Sequence, residues 1–120
     1  MSENRIEELE KRVQHLEERV KMLVEIADYE KHPFTYTALE YGLTESQVNK
    51  IFALMDEVED AIRSGKKPLN HSEFEDKVYE IVPSHQNDYH FAQDIVSSLN
   101  RTHQYQEVYQ HMKRSGMNLR

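Results

Sequence analysis

The sequence predicts an all-α protein: a long N-terminal amphipathic helix of coiled-coil type, followed by a small helical bundle of about five shorter helices. Three observations carry that expectation. Glycine occurs only 3 times in 120 residues, well below ordinary usage. No segment alternates apolar and polar residues with the two-residue period of a strand. Apolar residues instead recur at three- and four-residue steps, in runs punctuated by Pro33, Gly42, Gly65, Pro68, Pro83 and Gly116. The expected organisation is a heptad helix over residues 1–32 and a helical bundle over 33–120.

The first element is a heptad repeat. Ile6, Val13 and Val20 fall at position a, and Leu9, Leu16 and Leu23 at position d. β-Branched residues at a with Leu at d suit the knobs-into-holes packing of two parallel strands. The flanks agree, because the g positions are Arg5, Arg12 and Arg19 and the e positions are Glu10, Glu17 and Val24. In a parallel pair each g residue meets the following e residue of its partner, which opposes Arg5 to Glu10 and Arg12 to Glu17. An antiparallel pair would set Arg near Arg and Glu near Glu. From Val20 onward the apolar band widens to Val20, Met22, Leu23, Val24, Ile26 and Ala27. That width predicts that the second half of the helix enters a globular body. The alternative is a helix packed along its whole length within a monomer. Ser2 or Asn4 is expected to cap the start, and Pro33 to end the helix around Tyr29 to His32.

Pro33 suits the first turn of a short second helix, Phe34 to Tyr41, closed by Gly42. Thr44-Glu45-Ser46-Gln47 is a capping box. It opens a third helix whose stripe is Val48, Ile51, Phe52, Met55, Val58, Ala61 and Ile62, ended by Gly65. A short linker, Gly65 to Pro68, leads to a second capping box, Asn70-His71-Ser72-Glu73. The fourth helix buries Phe74, Val78, Ile81 and Val82 and stops at Pro83. Ser84 to Asp88 is turn material. Tyr89, Phe91, Ala92, Ile95, Val96 and Leu99 mark a fifth helix, broken at Asn100 to Thr102. Tyr105, Val108, Tyr109 and Met112 mark a sixth, ended by Gly116 and a frayed, basic tail.

Composition bounds the chemistry. Cysteine is absent, which removes disulfides, thiolate metal sites and cysteine nucleophiles and suits a reducing cytoplasm. No apolar run approaches the length of a membrane span, and charge begins at Glu3, so neither an anchor nor a signal peptide is expected. The net charge of −7 is uneven. Residues 1–32 hold six Lys or Arg against nine Asp or Glu, residues 33–65 two against six, and residues 66–120 seven against seven. The acidic excess opposes approach to nucleic acid or an anionic membrane and favours a neutral or basic protein partner.

Two local patterns point elsewhere. Ala38, Gly42 and Val48 have the Ala-x3-Gly-x5-Val spacing of a helix-turn-helix. The would-be recognition helix offers Gln47 and Asn49 to bases, yet only Lys50 and Arg63 to phosphates. His103, Glu107 and His111 stand at four-residue steps, with His85, Asp88 and His90 as remote candidates for a metal, but no His-Glu-x-x-His pattern accompanies them. Tyr89, Tyr105 and Tyr109 fall at helical spacing and read first as core or interface. No Gly-rich phosphate loop or nucleophile motif occurs.

Arg5-Ile6-Glu7-x-Leu9-Glu10, His32-Pro33-Phe34, Gly42-Leu43-Thr44 and Tyr105-Gln106-Glu107-Val108 together resemble the YhaI-like family, small all-helical proteins of bacilli and their phages. The resemblance runs over most of the chain. It implies a cytosolic helical fold of bacterial or phage origin and brings no catalytic residues. In length, charge and build the chain is also similar in kind to the small acidic phage proteins that silence host defence enzymes, including NAD-depleting sirtuin-type proteins.

The expected role is a non-enzymatic protein-binding module, an inhibitor or adaptor that docks an acidic helical surface on a larger bacterial protein. Ile6, Leu9, Val13, Leu16, Val20 and Leu23 are the expected self-association residues of a parallel homodimer. Asp56, Glu57, Glu59 and Asp60 are the expected partner-binding residues. No cofactor, metal, nucleic acid or membrane is expected, and the location is cytoplasmic. The alternative is a DNA-binding regulator using the Ala38 to Val48 unit, and the third reading is a helical-bundle metalloenzyme.

Overall fold

The structure is a computed structural model that describes residues 2–28 and 30–119, the side chain of Tyr89 excepted. Expectations that fall on Tyr29 and on the Tyr89 ring lie outside the described residues. Among the described residues six α-helices follow one another: α1 (Glu3–Ile26), α2 (Pro33–Glu40), α3 (Glu45–Arg63), α4 (His71–Ile81), α5 (Tyr89–Arg101) and α6 (Gln106–Ser115), with a 3-10 turn at Pro83–His85 before α5.

The helix ends follow local chemistry. Thr44 and Asn70 each accept the backbone N–H three residues on, from Gln47 (3.1 Å) and Glu73 (2.9 Å). The Gln47 and Glu73 side chains reach back to the Thr44 and Asn70 N–H groups. Both capping boxes thus satisfy the orphan donors at the starts of α3 and α4. Ser2 caps α1 through its backbone, its carbonyl accepting from Arg5 and Ile6. α1 stops at Ile26, before the expected Tyr29 to His32. Its last turn carries no basic residue, and Glu25 and Asp28 put negative charge at the negative end of the helix dipole.

The core belongs to α2–α6. α2 packs on α5, α3 on α4 and α6, and α5 on α6. Ile51, Met55, Phe74, Val78, Phe91, Ile95, Leu99, Val108 and Met112 are fully or almost fully buried where these helices meet. Burying an aliphatic or aromatic side chain of this size is worth about 1.5–3 kcal/mol. The segment after α6 is not the frayed tail that its composition suggests. Met117 and Leu119 are buried in the same cluster, and the Met117 N–H bonds back to the Met112 carbonyl at 2.9 Å. Two apolar side chains therefore tie the end of the described chain to the core.

α1 contributes no buried residue. The apolar band that was expected to enter the body does not: Met22, Leu23 and Ile26 are 64, 61 and 81% exposed. Nor is the helix packed along its length within a monomer. The molecule measures 60 × 31 × 24 Å, and a 24-residue helix spans about 36 Å.

Candidate interaction surface

The six heptad residues form one stripe along α1, and all six face solvent. Ile6 is 44% exposed, Leu9 43%, Val13 52%, Leu16 59%, Val20 48% and Leu23 61%. Scattered exposed leucines are ordinary, but a contiguous stripe is the mark of an interaction site. The charges beside the stripe follow the order expected of a seam, with Arg at g and Glu at e. Among the described residues none of these arginines lies within ion-pair distance of a carboxylate. Within α1, His15 Nδ1 lies 3.9 Å from a Glu18 carboxylate oxygen, both side chains more than half exposed.

The acidic residues of α3 divide. Asp56 Oδ1 accepts the Tyr105 hydroxyl at 2.6 Å. Glu59 lies 3.3 Å from Arg63 Nη1 with its side chain only 18% exposed, and Arg63 Nε also donates to Glu107 at 3.4 Å. Asp56 thus ties α3 to the start of α6, and Glu59 braces the Arg63 that reaches Glu107 on α6. Glu57 and Asp60 remain turned to solvent, so the acidic face open to a partner is narrower than the sequence implies.

A second tyrosine–carboxylate bond has no signature in the sequence. The Tyr41 hydroxyl donates to Asp94 at 2.5 Å, while its ring lies 4.8 Å from that of Phe91 and 5.1 Å from that of His85. His85 Nε2 donates in turn to the Tyr41 carbonyl at 2.9 Å. A carbonyl only accepts, which fixes the proton on Nε2. The end of α2, the 3-10 turn and α5 are joined there. Burial, then the bond to Asp94, raises the Tyr41 phenol well above its ordinary range. Burial, then the bond to Asp56, does the same for Tyr105. Both phenols stay protonated donors at neutral pH.

Two other histidines also hydrogen-bond within the fold. His111 Nε2 donates to the Leu69 carbonyl at 2.8 Å, and His103 Nδ1 faces the Gln106 amide at 3.3 Å. Glu107 is engaged with Arg63. Among the described residues no three His, Asp or Glu side chains converge as a metal set would. Tyr109 is buried, and Tyr105 packs against the core.

The Ala38–Gly42–Val48 unit forms a helix, a turn and a helix, with the Leu43 N–H bonded to the Ala38 carbonyl at 3.0 Å. The outer face of α3 presents Glu45, Ser46, Asn49, Lys50 and Ala53, continued by Glu57 and Asp60. A surface with one lysine among carboxylates gains little from a phosphate backbone. Among the described residues no helix is long and apolar enough to cross a membrane.

Set against known proteins, residues 6–115 match a family model described as a protein of unknown function, DUF1878. No curated protein matches, and no solved structure does.

Proposed function

We propose, for a chain that belongs to the DUF1878 family of unknown function, a non-enzymatic protein-binding role, that of an inhibitor or adaptor built as a helical body carried on an adhesive helix. One observation carries the reading: the most regular apolar stripe in the sequence is the one that the fold leaves wholly in water. Removing apolar surface from water is worth about 25 cal/mol per Å², so the stripe gains free energy by meeting another polypeptide. Glu57 and Asp60 on α3 offer a second, polar contact to a basic partner. Within this reading the YhaI-like resemblance suggests a source among bacilli and their phages, and a small acidic phage inhibitor of a host defence enzyme is the narrowest form of the role.

The test is a photo-crosslinking amino acid placed at Leu16, compared with one at Lys113 on α6, in cells of a bacillus host. A stoichiometric adduct to a host protein at position 16 that is absent at position 113 supports the role, and an adduct to a second copy of the chain alone does not. Recovery of nucleic acid alone, or of no protein adduct at position 16, counts against it.

A further inference from the structure

We infer that the occupant of the α1 stripe is a second copy of this chain, in a parallel, in-register coiled coil. This deepens the protein-binding reading and rests on it.

The argument turns on self-complementarity. A helix that binds an unrelated partner needs flanks that complement that partner. The flanks of α1 complement α1 itself: Arg5 and Arg12 at g stand opposite Glu10 and Glu17 at e of an identical parallel strand, giving four interchain pairs by symmetry. These arginines have no carboxylate partner within the described chain, and the six apolar knobs are all exposed, so nothing must be undone for the pairing to form. The core choice agrees. Ile6, Val13 and Val20 at a, with Leu9, Leu16 and Leu23 at d, is the two-stranded pattern.

The third heptad differs from the first two. Val24 at e and Ile26 at g replace charge with apolar surface, so Arg19 lies beside Val24 of the partner copy and covers it with its methylene stem. The dimer is therefore charge-registered toward its N-terminal end and broadened toward the end that leads into the two bodies. This gives the band from Val20 to Ala27 an interchain role in place of the intrachain burial expected from its width.

Two experiments on the full chain decide it. Ser2 falls at a d position, and the chain has no cysteine of its own, so Ser2→Cys supplies one thiol per copy. A parallel in-register pair places the two thiols together, whereas an antiparallel pair separates them by about 36 Å. Under mild oxidation we expect a disulfide-linked species of twice the 14.3 kDa chain mass. An unlinked chain whose mass in solution is nonetheless doubled overturns the parallel arrangement.

The second experiment is charge exchange, read as the dissociation constant from light scattering over a dilution series. Arg12→Glu alone sets Glu against Glu17 twice per dimer and should weaken association about tenfold. Adding Glu17→Arg should restore it. Failure of the double variant to recover, or a wild-type mass of one chain at every concentration, overturns the homodimer. A monomer that still crosslinks another protein at position 16 leaves the protein-binding role standing. A dimer that captures no other protein leaves the homodimer and removes the inhibitor or adaptor role.

Discussion

Tyr105 and Asp56 stand 49 residues apart and share a hydrogen bond of 2.6 Å, repeated by Tyr41 and Asp94, 53 residues apart, at 2.5 Å. Each pair clasps two helices by a bond in which a neutral phenol donates to an ionised carboxylate, the stronger kind of protein hydrogen bond. Each also spends a surface acid that would otherwise be free to meet a partner.

Stability should therefore fall in alkali. In the unfolded chain a tyrosine loses its proton near pH 10, while in the folded chain burial and the carboxylate hold Tyr41 and Tyr105 protonated to higher pH. Above about pH 10 the folded state binds more protons than the unfolded one, so unfolding free energy drops as pH rises, and below it these groups add no slope. Urea unfolding at stepped pH should show a decline that is reduced in Tyr41→Phe and again in the double Phe variant. An identical alkaline slope in the wild type and the double variant refutes the account.

Within α3, Asp56 and Glu57 should behave differently despite being neighbours. Asp56→Ala removes a solvent-accessible bond from the Tyr105 hydroxyl and should cost about 0.5–1.5 kcal/mol. Glu57→Ala removes a solvated side chain and should change stability by less than about 0.5 kcal/mol. Urea midpoints check this, and equal effects would mean that the Tyr105 bond contributes nothing.

The fold was readable because its determinants are local. Thr44 with Gln47, and Asn70 with Glu73, announce the starts of α3 and α4 through side chains three residues apart, and the apolar stripes of α3–α6 coincide with the faces that the fold buries. What escaped is non-local. Tyr41 to Asp94, His85 to the Tyr41 carbonyl and Arg63 to Glu107 depend on which helices lie side by side, and no spacing in the sequence encodes that. The α1 stripe was legible as a stripe, but its exposure was not, because a wide apolar band on a helix predicts burial without saying against which chain. The tail failed for a related reason: Met117 and Leu119 are too few to form a periodic signal, yet the turn after α6 carries them back into the core.

Substitutions in α1 and in the core should separate cleanly. Phe74 is fully buried, and Phe74→Ala should cost about 3–5 kcal/mol, lowering the thermal midpoint of the body. Leu16→Glu touches nothing in the body, so most helicity and the body's midpoint at low protein concentration should be retained. A large loss of folded signal in Leu16→Glu would mean that α1 supports the bundle after all.

The last prediction concerns two glycines that look alike in sequence, each closing a helix. Gly65 has φ +74° with open space where a β-carbon would stand, so Gly65→Ala meets only the cost of a left-handed conformation, about 1–2 kcal/mol. Gly116 has φ +117°, outside the well that alanine tolerates, and a β-carbon there would lie 3.1 Å from Cε1 of His71. That ring does not swing away freely. Ser115 Oγ accepts the His71 backbone N–H at 2.8 Å and lies 3.2 Å from Nδ1 of the ring, so its hydroxyl is free to donate to Nδ1. Gly116→Ala should therefore cost more than Gly65→Ala, about 2–3 kcal/mol, and loosen Met117 and Leu119 behind it. His71→Ala in the Gly116→Ala background should recover part of the loss, read as a coupling energy in a double-mutant cycle. Equal costs at the two glycines with zero coupling to His71 would show that the turn after α6 yields, and that the burial of Leu119 does not depend on it.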